Sequence, residues 1–358
     1  MTYTTPTSES GAADDTMRVS VLHPGGSITE ERRPIPAPGP GDVLVQIASV
    51  GVCGSDTHYY RHGRIGEFVV DTPLVLGHEA SGRIVAVGAG VAEGRVGQRV
   101  SIEPQRPDPA SAESLRGDYN LSPNLDFFAT PPVDGAFAEY VTIGSAFAHA
   151  VPDTIGDDAA ALLEPLSVAI AALRKARVGL GSAILVAGAG PVGLLCVQVA
   201  RAAGATVIAV SEPDDARREQ ARRHGATHVF SPPDRPDPGV PIDAFVDASG
   251  VPAAVRSGID AVRPGGGVVL VGMGADEMTL PVSLIQNREL TLTGVFRYAN
   301  TWPTAIALVA SGAVDLDSLV TGRFGLAEVP AALDSDRVAG SIKVIVRPAD
   351  RTLRGGTS

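Results

Sequence analysis

The chain contains little cysteine and has no excess of basic residues. Two cysteines, Cys53 and Cys196, occur in 358 residues, which is too few for a disulfide framework. Lys and Arg total 29 against 40 Asp and Glu, so the formal net charge is −11. Proteins that bind nucleic acid need a basic surface to neutralise phosphates. We therefore expect no nucleic-acid partner.

Signals for export and for membrane insertion are also missing. Residues 1–16 have neither the basic start nor the apolar stretch of a secretory signal, which predicts a flexible tail and a cytoplasmic protein. Residues 178–200 carry no charge over 23 positions, long enough to span a bilayer of about 30 Å. Five glycines and Pro191 interrupt them, so we predict strand 183–187, a glycine turn and helix 191–203, and no membrane partner.

Glycine and proline are abundant, at 41 and 28 residues, and they divide the chain into many short segments. Residues 17–150 hold short β-branched runs, typical of an antiparallel, barrel-like domain. From residue 166, apolar strands alternate with helices of 10 to 14 residues, which predicts a parallel sheet with crossover helices. The predicted class is α/β, with a first domain at 1–165, a second, parallel-sheet domain at 166–296, and a return to the first domain at 297–358.

A glycine-rich turn in the second domain fits a dinucleotide-binding pattern. Gly188 can make the sharp turn, Gly190 lets the backbone approach a pyrophosphate, and Gly193 allows close contact between helix and strand. Pro191 and Val192 begin the helix, whose N-terminus offers unpaired N–H groups to phosphates. An ordinary strand-to-helix turn is the alternative interpretation.

The next strand ends at an acidic residue placed to bind a ribose. Glu212 lies 19 residues after Gly193, and a carboxylate there repels a 2′-phosphate. The sequence therefore favours NAD over NADP. Arg217, five residues further on, either contacts the adenosine or is an ordinary surface arginine.

Four residues of the first domain are candidates for a metal site. Cys53 follows an apolar strand, and His78 and Glu79 are adjacent; thiolate, imidazole and carboxylate are all zinc ligands. Glu164 lies in an otherwise apolar stretch, where an unpaired buried carboxylate costs several kcal/mol and needs a cation or a hydrogen-bonded water. These residues lie far apart in sequence, so the chemistry suggests a site without establishing it.

Seven segments carry a family resemblance. In chain order they are GVCGSDTHYY, GRIGEF, LGHEASG, FFATPPVDGAFAEY, EPLSV, AGAGPVG and GVFRYANTW. Together they resemble the zinc-dependent medium-chain dehydrogenases, specifically the sorbitol and xylitol dehydrogenase branch. The resemblance implies a GroES-like catalytic domain and a Rossmann coenzyme domain. It also implies a catalytic zinc held by Cys53, His78 and Glu79, with Glu164 as a fourth ligand or bonded to the zinc water.

The same resemblance implies the activity and further site residues. The expected reaction is NAD-dependent oxidation of a polyol at C2 to the 2-ketose. Ser55 and His58 are placed to relay the released proton to solvent. With Glu164, the substrate-binding residues implied are Tyr59, Phe127, Thr130, Arg297 and Tyr298. Relatives are usually tetramers, so we expect a homo-oligomer, a tetramer or a dimer.

One segment departs from the family pattern. Many relatives hold a second, structural zinc with four cysteines in the lobe that corresponds to residues 105–123. Here the four positions are Asp108, Ser111, Ser114 and Ser122. Serine hydroxyls stay protonated at neutral pH and are poor zinc ligands, so we predict one catalytic zinc per chain and no structural zinc.

Two other functions compete with polyol oxidation. The first is a related zinc dehydrogenase that acts on another vicinal diol or an amino alcohol, such as butanediol or threonine. The second is a non-catalytic NAD-binding redox sensor that kept the fold and lost turnover. Metal content separates them, because about one zinc per chain supports catalysis and none favours the sensor.

Overall fold

A computed structural model describes residues 16–234, 239–274 and 276–349 of the chain. The first strand begins at Thr16, so the tail predicted over 1–16 is one residue too long at its end. The rest of that tail lies outside the described residues.

Strands outnumber helices before residue 156 and recur in the second half of the chain. They are β1 (Thr16–Leu22), β2 (Ile28–Pro34), β3 (Asp42–Gly51), β4 (Arg64–Ile65), β5 (Phe68–Val69), β6 (Leu74–Val75), β7 (Glu79–Val87), β8 (Arg99–Ile102), β9 (Gln105–Arg106), β10 (Asp126–Phe127), β11 (Tyr140–Gly144), β12 (Ala148–Ala150), β13 (Ala183–Ala187), β14 (Val207–Ser211), β15 (His228–Phe230), β16 (Ile242–Asp247), β17 (Val262–Leu270), β18 (Thr291–Gly294), β19 (Val320–Gly325) and β20 (Lys343–Arg347).

Helices are concentrated after residue 156. They are α1 (Gly54–His62), α2 (Ala112–Leu115), α3 (Asp157–Ala161), α4 (Leu163–Lys175), α5 (Pro191–Ala202), α6 (Asp215–His224), α7 (Pro252–Ala261), α8 (Val282–Asn287), α9 (Trp302–Ala310) and α10 (Val329–Leu333). Short 3₁₀ turns cover Glu93–Arg95, Tyr119–Leu121, Ser145–Phe147, Asp317–Leu319, Leu326–Glu328 and Ser335–Arg337. Among the described residues, no helix combines the length and the apolar character needed to cross a membrane.

The first large sheet has seven strands and carries the metal-ligand candidates. Its order is β12-β8-β7-β3-β20-β19, and β11 also pairs with β3. All pairs are antiparallel except β19 with β20. Gly51 at the end of β3 lies opposite both Glu79 of β7 and Ile345 of β20. Three strands from distant parts of the sequence therefore meet at one point.

The second large sheet is parallel throughout, with order β15-β14-β13-β16-β17-β18. The chain first builds outward from β13 through β14 to β15, then returns to β16 on the other side of β13. Open parallel sheets bind ligands at the carboxyl ends of the strands where the order reverses in this way. The glycine turn after β13 lies at that point.

The central strand β13 is apolar along its whole length, as expected for a parallel strand with helices on both faces of its sheet. All five residues of β13 are buried. Helix α5 begins with Pro191 at its first position, where the missing N–H costs no hydrogen bond. Helix α9 packs on α4 and begins at Trp302, whose Nε1 donates to Ser101 Oγ at 2.9 Å. The predicted α/β class is confirmed.

Candidate metal centre and coenzyme site

Three candidate ligands meet at the end of β3. The donor atoms of Cys53, His78 and Glu79 all lie within 4.8 Å of one another. Cys53 is the residue before α1, and Glu79 is the first residue of β7. The pairing of Gly51 with Glu79 brings the two segments side by side, although they are distant in sequence.

Asp56 ties the two ligand-bearing segments together. Its Oδ2 accepts the backbone N–H of Cys53 at 2.9 Å, and its Oδ1 accepts that of Gly77, also at 2.9 Å. Burial alone would lower the pKa of His78, but the Cys53 thiol group and the Asp56 carboxylate raise it well above its usual range. The site therefore concentrates negative charge, which favours a bound cation.

One carboxylate oxygen of Glu79 has no partner among the residues that the structure describes. The side chain is fully buried, and its Oε1 accepts a hydrogen bond from Lys343 Nζ at 2.5 Å. Its Oε2 is buried and has no hydrogen-bond partner in the described part of the chain, and a Cβ on Gly51 would collide with it. A buried acceptor is rarely left unsatisfied. One sulfur, one nitrogen and one free carboxylate oxygen form a donor set that fits zinc.

Glu164 lies beside this cluster rather than inside it. The grouping of donor atoms within 4.8 Å, taken over the described residues, does not include it. Its Oε1 accepts a hydrogen bond from the Tyr298 hydroxyl at 2.6 Å. Burial, aided by the negative charge of Glu79 and opposed by His78, raises the pKa of Glu164 to about 7. Direct zinc ligation by Glu164 and contact through a water both remain predictions.

An aromatic and cationic wall adjoins the metal centre. The ring of Phe127 lies 5.6 Å from that of His78, between centroids. The guanidinium carbon of Arg297 is 3.8 Å from the Phe127 ring centroid, and its Nη2 is 3.4 Å from Thr130 Oγ1. Burial lowers the pKa of Arg297 to about 10, and the residue remains cationic at neutral pH.

Tyr59 completes the set of side chains predicted to contact substrate. Burial raises the pKa of its hydroxyl to about 12, while nearby Arg297 and His78 and a hydrogen bond with Thr130 oppose this rise. Tyr59 is 4% exposed, so its hydroxyl is shielded from bulk water. The structure thus brings Tyr59, Phe127, Thr130, Arg297 and Tyr298 together around Glu164 and His78. Their role in substrate binding stays a prediction.

The backbone that carries Arg297 is held by the lobe at residues 105–123. Arg297 and Asn300 both have a left-handed φ of 57°, which costs energy for residues other than glycine. The Asn120 side chain donates to the carbonyl of Phe296 at 2.8 Å, and the N–H of Asn300 donates to the Tyr119 hydroxyl at 2.7 Å. Nothing in the sequence signalled that this lobe contacts the segment that carries Arg297.

Within the lobe, the four residues at the family's cysteine positions are linked by hydrogen bonds. Ser122 Oγ accepts the N–H of Asp108 at 3.2 Å, and Ser111 Oγ accepts the N–H of Ser114 at 3.1 Å. The Ser111 hydroxyl also donates to the carbonyl of Asp108 at 3.0 Å. Hydrogen bonds of this kind hold the lobe. The absence of a structural zinc stays a prediction.

The glycine turn has the geometry that a dinucleotide site requires. Gly188 has a left-handed φ of 93°. A Cβ on Gly193 would collide with the carbonyl of Gly188, so the helix can approach the strand only with glycine there. The space around a Cβ on Gly190 is open to 4 Å, so a phosphate can reach the backbone. Pro191 and Val192 then form the first turn of α5.

Glu212 lies directly beside this turn. It is 5% exposed, its Oε2 accepts the N–H of Ala189 at 2.8 Å, and its Oε1 accepts the N–H of Asp214 at 3.0 Å. A carboxylate can accept further hydrogen bonds beyond these two. Arg217 lies exposed in the first turn of α6, and its N–H is bound by the Asp214 carboxylate.

The two predicted proton-relay residues lie on α1. Ser55 is half-buried in the first turn, and His58 is exposed one turn later. The rings of His58 and His62 are 4.6 Å apart. Burial and the neighbouring His62 lower the pKa of His58, while Asp276 opposes them. His58 is therefore largely neutral at pH 7 and able to accept a proton.

Lys343 and Gly51 were missed at the sequence level. A lysine inside the apolar strand SIKVIV is the same kind of signal that drew attention to Glu164, and it could have been noticed. The partner of this lysine could not have been predicted, because Lys343 and Glu79 are 264 positions apart in the sequence.

Comparison with known proteins identifies the family. A family described as "Alcohol dehydrogenase GroES-like domain" matches residues 39–153, and "Zinc-binding dehydrogenase" matches residues 191–311. The sorbitol dehydrogenase of Gallus gallus is 40% identical over 343 residues, covering 92% of this chain and 97% of its own. The chain belongs to the zinc-dependent medium-chain dehydrogenases, in the polyol dehydrogenase branch. The resemblance noted in the sequence is therefore confirmed, including the GroES-like and Rossmann domains.

Further relatives support the assignment of the chain to this family. The sorbitol dehydrogenase of Bacillus subtilis (strain 168) is 39% identical over 345 residues, covering 93% of this chain and 95% of its own. The 2R,3R-butanediol dehydrogenase structure from Bacillus subtilis is 29% identical with a TM-score of 0.84, covering 93% of this chain and 99% of that one. The chain is thus an alcohol or polyol dehydrogenase of the zinc-dependent type.

Two similar structures contain a nicotinamide coenzyme. An alcohol dehydrogenase from Escherichia coli CFT073, complexed with NADH, is 26% identical with a TM-score of 0.87 and covers 93% of this chain and 100% of that one. A zinc-binding dehydrogenase from Sinorhizobium meliloti 1021, bound to NADP, is 30% identical with a TM-score of 0.86 and covers 93% and 99%. Zinc and a nicotinamide coenzyme are the cofactors of this dehydrogenase.

Proposed function

We propose that this dehydrogenase oxidises a polyol of the sorbitol or xylitol type at C2 to the 2-ketose, with NAD as the hydride acceptor. One observation carries the proposal. The Phe127 ring lies 5.6 Å from the His78 ring, between centroids, and its centroid lies 3.8 Å from the Arg297 guanidinium carbon. Phe127 therefore places a hydrogen-bonding cation near a predicted metal ligand, where it can bind a further hydroxyl of a polyol.

The metal site would use three protein ligands. Cys53, His78 and Glu79 supply the sulfur, nitrogen and oxygen, and three ligands are the number that leaves a position open in a catalytic zinc site. Bound zinc would act as a Lewis acid that makes a substrate hydroxyl easier to deprotonate, and bound NAD would accept the hydride. Glu164 would complete the coordination or hold a water there.

Selectivity for polyols would come from the donors around Arg297. Its planar fork of N–H groups suits adjacent hydroxyls, and Tyr59, Thr130 and Tyr298 add further polar groups. A site built to hydrogen-bond hydroxyls rejects substrates that lack them, because its own polar groups are then left unpaired. Simple monohydric alcohols are therefore expected to be poor substrates.

The coenzyme would be NAD rather than NADP. Glu212 is held next to the glycine turn by the N–H groups of Ala189 and Asp214, so its charge cannot move away from a bound ribose. A ribose 2′-hydroxyl can donate to this carboxylate, whereas a 2′-phosphate would be repelled. Arg217 is exposed on the helix that follows, where we expect it to contact the adenosine.

The released proton would leave through α1. Ser55 lies in the first turn after Cys53, and the exposed ring of His58 can exchange protons with solvent. The lowered pKa of His58 leaves a ring nitrogen free to accept a proton at neutral pH.

A polyol panel tests the activity. NADH absorbance would be followed with sorbitol, xylitol, ribitol, arabitol and ethanol, using NAD and NADP, and the product would be identified. We expect a 2-ketose and about one zinc per chain. Cys53→Ala should abolish turnover and zinc binding, whereas Cys196→Ala, which changes the other cysteine in the coenzyme-domain core, should retain both. An aldose product, or full activity in Cys53→Ala, would refute the proposal.

A second candidate is a dehydrogenase of shorter vicinal diols. The similarity to the 2R,3R-butanediol dehydrogenase of Bacillus subtilis, with a TM-score of 0.84, favours it. Adding 2,3-butanediol and threonine to the panel distinguishes the two. Higher kcat/KM for butanediol than for every polyol would establish the second candidate, and the absence of both zinc and turnover would indicate a coenzyme-binding sensor.

Assembly and location are separate predictions. We expect a homotetramer or homodimer and a cytoplasmic location. Light scattering of the purified protein and fractionation of cells that express it are the respective measurements.

A further inference from the structure

Lysine is rare in this chain. Of the 29 basic residues, two are lysines, Lys175 and Lys343, and the others are arginines. Lys175 is exposed at the end of α4, whereas Lys343 is 4% exposed at the start of β20. A buried ammonium group is costly unless charged or polar partners surround it. The position of Lys343 therefore calls for a specific reason.

Both hydrogen-bond acceptors of Lys343 belong to the metal-ligand segments. Its Nζ donates to Glu79 Oε1 at 2.5 Å and to the carbonyl of Val52 at 2.7 Å. Val52 precedes Cys53 directly, and its own N–H donates to the carbonyl of Val344 at 3.0 Å. One ammonium group thus joins β20 to the segments that carry two of the three predicted zinc ligands.

The two oxygens of Glu79 are in different environments because of this contact. Lys343 hydrogen-bonds to Oε1, whereas Oε2 is buried and has no partner among residues 16–234, 239–274 and 276–349. The space behind Oε2 is provided by Gly51, since a Cβ there would overlap with it. The carboxylate is therefore fixed in one orientation before any cation arrives, with a single oxygen available.

We propose that Lys343 is a positioning residue of the zinc site, which fixes the Glu79 carboxylate so that Oε2 alone is presented to the metal. A compact ammonium group suits this task, because it can hydrogen-bond a carboxylate oxygen and a carbonyl at once in a small buried space. Partners that orient a metal ligand in this way typically change metal affinity by about 10- to 100-fold when removed. The inference rests on the proposed zinc site.

The scarcity of lysine allows a direct test on the unmodified protein. The full-length chain would be labelled with ¹³C at the lysine ε-carbons, freed of metal with a chelator, and titrated with zinc. Lys175→Met identifies which of the two signals belongs to Lys343. We expect the Lys343 signal to shift until about one equivalent of zinc is bound, while the Lys175 signal stays in place. If zinc binds and the chemical shift of the Lys343 signal does not change, the inference is overturned.

Zinc affinity in variants supplies the second test. Competition with a chelating dye should give a dissociation constant about 10- to 100-fold higher for Lys343→Met than for the unmodified chain. Lys343→Arg should recover part of the loss, and Lys175→Met is the matched control that should change nothing. In a Glu79→Gln background, the Lys343→Met change should have less than about a threefold further effect, because its partner is already altered.

The outcomes separate this inference from the proposed function. If the unmodified chain binds no zinc, both fail together. If it binds zinc and Lys343→Met lowers only the melting temperature, or weakens zinc equally in both Glu79 backgrounds, Lys343 is merely structural and this inference alone fails. If Lys343→Met does not fold, the inference is still tested by the lysine spectra of the unmodified chain and by the zinc affinity of Lys343→Arg.

Discussion

Removing one hydrogen bond from the 105–123 lobe should impair polyol oxidation selectively. The change is Asn120→Ala, which deletes the 2.8 Å bond to the carbonyl of Phe296 without touching the predicted substrate or metal residues. That carbonyl immediately precedes Arg297, whose left-handed backbone is strained. We expect the segment to relax and Arg297 to occupy its observed position for a smaller fraction of the time.

The size of the effect follows from the structure. A neutral hydrogen bond contributes about 1 kcal/mol net, and about 1.4 kcal/mol corresponds to a factor of ten. Loss of the Asn120 bond should therefore lower kcat/KM about fivefold for a polyol that reaches Arg297. For 2,3-butanediol, which has no third hydroxyl, the loss should stay below about twofold. The Asn300 bond to Tyr119 remains and limits the effect.

The assay compares steady-state kinetics for sorbitol and 2,3-butanediol, with zinc content and NADH affinity measured alongside. Asn124→Ala is the matched control, because Asn124 is an exposed neighbour with no side-chain hydrogen bond to the described part of the chain. Arg297→Leu gives the maximum loss that the argument allows. Equal losses for both substrates, or a loss of zinc in Asn120→Ala, would refute the reasoning.

Three further changes test the metal centre, the coenzyme and the acid stability. Gly51→Ala should reduce zinc well below one per chain and destabilise the fold by about 1–3 kcal/mol, because the new methyl group overlaps Glu79 Oε2; elemental analysis showing full zinc would contradict this. Glu212→Gln keeps an acceptor for the Ala189 N–H but removes the charge, so the NADP-to-NAD ratio of kcat/KM should rise about five- to tenfold, and an unchanged ratio would argue against a role in coenzyme choice. Burial alone would raise the pKa of the Asp158 carboxyl group, but hydrogen bonds from two arginines and Ser49 lower it below 3.8. The stability that this carboxylate gives the folded protein is therefore present above that pH and is lost as the pH falls through the folded-state pKa. Asp158→Asn should therefore lower the free energy of unfolding, measured with denaturant, by about 2–3 kcal/mol at pH 7 and by progressively less below about pH 4. A difference between variant and unmodified protein that does not change with pH would rule out the carboxylate charge as the cause.

Elements whose signals are contained in a short segment were predictable. Strand β13 was expected over residues 183–187 and observed at Ala183–Ala187, and the following helix ends at Ala202, one residue earlier than expected. An apolar run, a glycine turn and a proline at the first helical position all act within about 20 residues, so local chemistry determines them. The α/β class was predictable for the same reason.

The metal centre depended on information that a single segment does not contain. Cys53 and His78 are brought together by the register of β3 and β7, and no spacing rule encodes that register. The family resemblance supplied what the residues alone left open. The lobe contacts to Phe296 and Asn300, on either side of Arg297, were missed altogether, because they join residues more than 170 positions apart through groups with no distinctive pattern.

Glu164 and Lys343 show where this limit lies. Each is a charge within an apolar stretch, and the same physical rule, that a buried charge needs a partner, applies to both. The rule identifies the anomaly but not the partner: Tyr298 for Glu164 and Glu79 for Lys343 lie 134 and 264 positions away. Only the pairing of β20 with β3, and of β3 with β7, determines that the lysine reaches the metal centre rather than another acid. A charge in a predicted strand is therefore evidence that a site exists, and the register of the sheet decides which site it is.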